Sequence, residues 1–295
     1  MVWGSTALAA AIDRKALAIT EFADEDEIIS ENYGTRSKMA SNVAKGLYPI
    51  AKAIYATKEH VGSRRQIRVT ISSDIPHSSG LGSSSAVAVA TVASVANALG
   101  GELSTKEIFD LAMVSEKIVH GNPSGIDVAV AAYGGIILYK KGETPKDVNG
   151  RLDVVVALSG LSRKTAKMIS RVAEVREKSP KFFNSLVLAS GYLSALAAKS
   201  LADGNSDDLA IAMNFHNAAL SWLGLSTPAI DEMIEISLES GAVAAKITGG
   251  GGGGAVIALA KQGKSDSIVR ALESKGFDAL TVKLPQQGVR IWKED

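Results

Sequence analysis

Pro76-His77-Ser78-Ser79-Gly80-Leu81-Gly82-Ser83-Ser84-Ser85 is the stretch on which the reading of this chain turns. Just before it, Ile67-Arg68-Val69-Thr70-Ile71-Ser72 alternates aliphatic and polar residues, the period of a half-buried strand. Just after it, Ala86 to Leu99 is apolar nearly all round, which predicts a buried helix stopped by Gly100-Gly101. A loop of small residues between strand and helix lets backbone N–H groups converge on an anion, and the positive end of the helix dipole adds to the attraction. The loop has neither the lysine of a Walker A motif nor the G-x-G-x-x-G spacing of a dinucleotide-binding turn. A tight turn with a serine N-cap is the plainer reading. The triple serine weighs against it, because hydroxyls in a first helical turn can also bind a metal ion held on a phosphate.

Downstream, Ser104-Thr105-Lys106-Glu107 is a capping box opening a helix to about Val119, with Ile108, Leu111, Ala112 and Ile118 on its inner side. Glu116 lies near its end, and the polar turn His120-Gly121-Asn122-Pro123-Ser124-Gly125-Ile126-Asp127 follows. Taken singly, Glu116 is a surface carboxylate and Asp127 a turn-former or N-cap. Lys140 to Arg151 is charged and turn-rich, and marks the crossing between a first half, 1–150, and a second, 151–295. The second half reads as a strand over Val154 to Leu158, then helices opened by Ser179-Pro180 and Thr227-Pro228 and stopped by Gly204 and Gly241. Lys246-Ile247-Thr248 leads into six glycines, Gly249 to Gly254, and the apolar strand Ala255 to Ala260. A glycine run is usually a flexible linker. Here, set against an apolar strand with no Ser, Pro or charge inside it, it reads as a constrained loop allowing close backbone approach. A helix over Lys264 to Lys275 and two short strands ending at Trp292 complete an α+β layout.

Composition excludes several function classes. The 32 Lys plus Arg balance 31 Asp plus Glu, so no overall field draws nucleic acid or an anionic membrane. With no cysteine there are no disulfides, thiolate zinc sites or cysteine nucleophile, and a cytoplasmic location is expected. Met1 to Ile12 is apolar but lacks a basic n-region and is read as strand-forming rather than as a signal peptide. Ala86 to Leu99 is too short to span a bilayer. His60, His77 and His216 have no metal-ligand spacing, which favours surface or hydrogen-bonding roles.

Three segments together carry a family resemblance. Pro76 to Ala86 resembles the phosphate loop P-x-x-x-G-L-G-S-S-x-A of the GHMP kinases, the superfamily named after galactokinase, homoserine kinase, mevalonate kinase and phosphomevalonate kinase. Lys246 to Gly254 resembles its C-terminal motif K-[LI]-T-G-A-G-G-G-G, with Gly250 where alanine is usual. Within that superfamily, Glu116 followed by His120 to Asp127 is closely similar to the mevalonate kinase branch. Val2-Trp3-Gly4 and Ala7 to Asp13 resemble the tail of the family's first motif. The family's P-G-K strand and G-E-H, which bring a lysine beside the catalytic aspartate, precede that tail, so a late start is the expectation.

The resemblance implies a fold and a mechanism. The first half would take the ribosomal-protein-S5-domain-2-like form and the second a ferredoxin-like form. Pro76, Ser79, Gly80, Leu81, Gly82, Ser83, Ser84 and Ser85 would bind ATP, with Ser84 and Glu116 holding Mg²⁺. Asp127 would orient and deprotonate the attacking hydroxyl, the 5-hydroxyl of mevalonate in isoprenoid precursor synthesis. Ser124, Gly125, Thr248, Gly249 and Gly250 would meet the acceptor or close the site, with Lys164 and Thr165 facing the cleft. Analogy places adenine near a helix over about Lys38 to Ala56. A sister kinase with another acceptor and a nucleotide-binding protein without catalysis stay open, as does a homodimer.

Overall fold

The computed structural model describes residues 4–41, 43–76, 79–161, 165–249 and 251–292, with 165–167 and 169 described by their backbone alone. Its first part runs β1 (Ala7–Ala10), β2 (Ala16–Phe22), β3 (Glu27–Ser30), β4 (Thr35–Lys38), α1 (Tyr48–His60), β5 (Ile67–Ser73), α2 (Ser83–Ala98), α3 (Thr105–His120), α4 (Ile126–Tyr133), β6 (Ile136–Tyr139) and β7 (Lys146–Asp147). Then follow β8 (Val154–Leu158), α5 (Thr165–Lys178), α6 (Pro180–Ala202), α7 (Asp207–Trp222), α8 (Pro228–Glu239), β9 (Ala242–Ile247), β10 (Ala255–Ala260), α9 (Ser265–Ser274) and β11 (Asp278–Val282).

One sheet has the order β2-β5-β3-β4, with β3 and β5 parallel and the other pairs antiparallel. The alternation of β5 sends Ile67, Val69 and Ile71 inward, where they meet Ile28, Ile54, Val89 and Val92 from β3, α1 and α2. The apolar composition of α2 is thus explained by burial, including Ala88, Val92 and Val95. A small second sheet, β1-β6-β7, carries α4 beside it. β1 and β2 each stand at the edge of their sheet, and both line the same cleft.

The last sheet, β11-β8-β10-β9, is antiparallel throughout. Counted within this half, its strands follow the order 4-1-3-2, which is the expected ferredoxin-like arrangement. On one face Ile230, Met233, Ile268 and Leu272 of α8 and α9 cover Val155, Ile247 and Val256. On the other, Ala197, Leu209, Ala212 and Met213 of α6 and α7 cover Ala244 and Leu259. α6 is long and apolar enough to cross a membrane by length and composition, yet it packs on α5, α7 and β1.

Several sequence expectations need correction. The helix placed over about Lys38 to Ala56 begins only at Tyr48, because Pro49 suits a first helical turn and Thr35–Lys38 pairs as a strand instead. Ile118 is exposed rather than inward; the buried stripe of α3 is Ile108, Ala112, Ser115 and Glu116. Of the two final strands only β11 forms. Past it the chain turns back to the first part, where Pro285, which has no N–H to give a ladder, accepts from Gly135 N–H (2.9 Å). Val289 N–H donates to Ala132 O (3.2 Å) in the same return. The capping box of α3 forms as read, and so do the starts of α6 and α8 at their prolines.

Candidate functional site

A cleft of about 2670 Å³ opens between the two parts. The N-terminal end of α2, the end of α3 and the start of α4 line one side, and the end of β9 with Thr248 and Gly249 lines the other. Gly80 and Gly82 both take left-handed backbone, with φ of 83° and 78°, which other residues adopt only at a cost. That lets the loop turn sharply from β5 into α2. Ser79 braces it: its hydroxyl donates to Pro76 O (2.7 Å) and accepts from Leu81 N–H (3.3 Å). Gly82 is the N-cap of α2, no side chain caps it, and its first turn holds no acidic residue. The helix therefore presents its positive end to the cleft without an internal counter-charge.

Asp127 lies in the first turn of α4, behind the left-handed N-cap Gly125 (φ 84°). It stands against the glycine-serine loop at the start of α2. A methyl group placed on Gly82 would come within 3.3 Å of the Asp127 Cβ and 3.6 Å of its Oδ1. Gly125 is needed for the same packing, since a Cβ there would sit 2.9 Å from the Tyr139 hydroxyl. That hydroxyl donates to Ser124 O (3.1 Å), and burial pushes the phenol pKa up, so it stays a donor.

Glu116 is buried, not the surface carboxylate its local sequence suggests. Its Oε2 accepts from Ser85 Oγ (2.9 Å), and its Oε1 lies 3.7 Å from His120 Nε2, one turn on. The three serines therefore part company. Ser83 Oγ lies 3.1 Å from Ser73 Oγ, Ser84 is exposed at the cleft, and Ser85 is buried, off the cleft wall and turned to Glu116. A direct phosphate contact by the Ser85 hydroxyl is not what this geometry offers; it positions the carboxylate instead. Likewise the Ser79 hydroxyl serves the loop rather than the cleft.

On the far wall, Thr248 N–H bonds Ala255 O (3.0 Å), closing the turn between β9 and β10. Of its glycines, Gly249, Gly251, Gly252, Gly253 and Gly254 all have positive φ. Gly252 N–H donates to Leu225 O (2.8 Å), and a Cβ on Gly251 would sit 2.6 Å from that same oxygen. The run is the constrained loop the sequence suggested. Gly250, His77 and Lys164 lie outside the described residues, and of Thr165 only the backbone is described. His216 has the hydrogen-bonding role expected of it, with Nε2 3.2 Å from Ser190 O. Sequence reasoning gave no role to Lys246, which lines the cleft half-buried, although it opens the C-terminal motif two residues before Thr248.

Comparison with known proteins agrees with this architecture. The family description "GHMP kinases N terminal domain" matches residues 48–135, and "GHMP kinases C terminal" matches 197–278. A mevalonate kinase of Thermococcus sibiricus is 32% identical over 99% of this chain and 93% of its own length, and one of Pyrococcus furiosus 33% over the same shares. The crystal structure of Methanococcus jannaschii mevalonate kinase superposes with a TM-score of 0.80 at 24% identity, covering 96% of this chain and 93% of that one. With both family regions, the shared fold and near-complete coverage of these relatives, the chain belongs to the GHMP kinases.

Proposed function

We propose that this GHMP kinase moves the terminal phosphate of ATP onto the 5-hydroxyl of mevalonate. The observation that carries the reading is the meeting of two helix N-termini, with Asp127 of α4 packed against Gly82 at the start of α2. The α2 end suits the phosphates of ATP, and the Asp127 carboxylate is the group beside it able to take a proton from an alcohol. The relatives named mevalonate kinase, at about a third identity over nearly the whole chain, support the choice of acceptor.

Backbone N–H groups of Ser83, Ser84 and Ser85 would bind phosphate oxygens at the start of α2. Asp127 orients the acceptor hydroxyl. As the hydroxyl oxygen bonds to the γ-phosphorus, the bond from that phosphorus to the β,γ-bridging oxygen breaks, ADP leaves, and the alcohol proton passes to Asp127. Phosphoryl transfer asks little covalent help of the protein, so in-line positioning and charge stabilisation supply most of the rate. The loop from Thr248 shuts water out from the other side.

Magnesium fits the residues present. Among the described residues there is no cluster of three or more metal-ligating side chains, and an Mg²⁺ held partly by nucleotide phosphates needs only one or two carboxylates. Glu116, its Oε2 fixed by Ser85, and the exposed Ser84 hydroxyl would hold it. When bound it would neutralise charge on the β- and γ-phosphate oxygens. A near-neutral enzyme of small dissolved molecules belongs in the cytoplasm, with residues 1–150 as the ATP side and 151–295 as the covering side.

The test is ADP release by the full chain with MgATP and mevalonate, phosphomevalonate, galactose or homoserine. Turnover is expected with mevalonate. Preference for another acceptor would overturn the choice of substrate, and ATP binding without turnover of any would make this a binding protein.

A further inference from the structure

Among the described residues two lysines are drawn into the molecule, and they are treated differently. Lys58 on α1 is clasped by Asp26, with Nζ 2.8 Å and 2.6 Å from its two carboxylate oxygens. Lys246 on β9 has no such partner: among the described residues no carboxylate oxygen lies within 4 Å of its Nζ. Its Nζ donates to Ile247 O (2.5 Å). An ammonium has three N–H bonds, so donors remain.

The surroundings leave the cleft as the side from which a partner can reach it. Lys246 pairs in register with Ile257 and shares with it and Leu259 the sheet face that lines the cleft. From α7, His216 faces the same region. Burial first, and then Lys246 itself, lower the His216 pKa, so it remains a neutral ring and adds no second positive charge. Burial likewise pulls Lys246 down to about 8, which leaves it charged at neutral pH. Half-buried, this charge is solvated only from the cleft, so a ligand that displaces that water has to pair it. Thr248, two residues on along the same strand face, adds a hydroxyl to that wall.

We propose that Lys246, with Thr248 beside it, is the anchor for a carboxylate on the alcohol acceptor, while Asp127 across the cleft takes the hydroxyl. The inference rests on the phosphotransfer reading above and deepens it. It makes the acceptor a hydroxy acid by its chemistry, because a sugar or other neutral alcohol would leave the ammonium unpaired. Lys246 acts here as a specificity-determining residue. Arg14, Lys15 and Arg290 also line the cleft, but Lys15 and Arg290 are exposed and stay solvated without a ligand.

The experiment compares mevalonate with its carboxamide, which keeps the hydroxyls and loses the charge, in the full chain and in its Lys246→Met and Lys246→Arg variants. A hydrogen bond to a charged group sets the expected scale at roughly tenfold to a hundredfold. The unsubstituted chain should prefer the carboxylate by that factor. Lys246→Met should raise KM for mevalonate by a similar factor, leave KM for ATP and kcat within about twofold of the parent, and erase the preference. Lys246→Arg should restore part of it. Lys246→Met should also melt no lower than the parent, since it removes a charge without a carboxylate partner. A preference that survives in Lys246→Met overturns the assignment and moves the anchor to another cation such as Arg14. Failure of the unsubstituted chain to turn over mevalonate is a separate result, and it removes the mevalonate reading and this assignment together.

Discussion

A buried carboxylate is costly unless something donates to it, and at Glu116 the donor is Ser85 at 2.9 Å. The serine fixes one oxygen of the carboxylate, the other lies 3.7 Å from His120 Nε2, and the residue lines the cleft. Ser85→Ala should therefore cost about 1–3 kcal/mol of stability, because Glu116 loses its buried partner. It should also raise the Mg²⁺ concentration needed for half-maximal activity. Thermal unfolding and a magnesium titration of turnover check the two effects separately. Loss of ATP binding without any change in magnesium response would return Ser85 to the phosphate cradle. At this scale the sequence set Ser83, Ser84 and Ser85 side by side but did not tell which of them turns to which neighbour. Three adjacent hydroxyls in one helical turn differ by about 100° in direction, and only the packing of α2 on α3 decides which faces inward.

Elements were most legible where local chemistry acts alone. The capping box at Ser104, the prolines at the starts of α6 and α8, and the alternation of β5 each fix a backbone state through their own side chains, and each formed as read. Elements set by contacts distant in sequence were misread. The helix begun too early at Lys38 is one, since Thr35–Lys38 becomes a strand only because Glu27–Ser30 lies beside it. The segment after Val282 is another: its apolar residues suggested a strand, yet its partners are the backbone around Ala132 to Gly135. The glycine loop belongs with the legible elements, and it carries its own prediction. Gly251→Ala adds a Cβ 2.6 Å from Leu225 O at a φ of 72°, a clash with backbone compounded by a left-handed conformation. It should destabilise the chain by about 1–2 kcal/mol or more and reduce turnover, which denaturant unfolding and ADP release measure. A fully stable and active Gly251→Ala would show the loop free to move and the constrained reading mistaken.

At the scale of the whole molecule, a four-stranded antiparallel sheet carries α8 and α9 on one face and α6 and α7 on the other, a mixed sheet packs on α1 and α2, and residues of both parts line one cleft. The return of the chain past β11 to Ala132 ties the end of the sequence to the wall that carries α4. Gly288 passes so close to Ala132 O that no Cβ fits there. The two-part α+β form was legible because its three motifs follow one another in a fixed order. That Lys246 and Asp127 line one cleft was not, because β9 and α4 are separated by more than a hundred residues. The measurement that bears most directly on the central claim is turnover and ATP binding by Asp127→Asn beside the unsubstituted chain. If the meeting of α2 and α4 is where phosphate passes to the alcohol, kcat with mevalonate should fall by about 10²–10⁴-fold while the dissociation constant for MgATP changes little. Turnover undiminished in Asp127→Asn would contradict that placement of the chemistry.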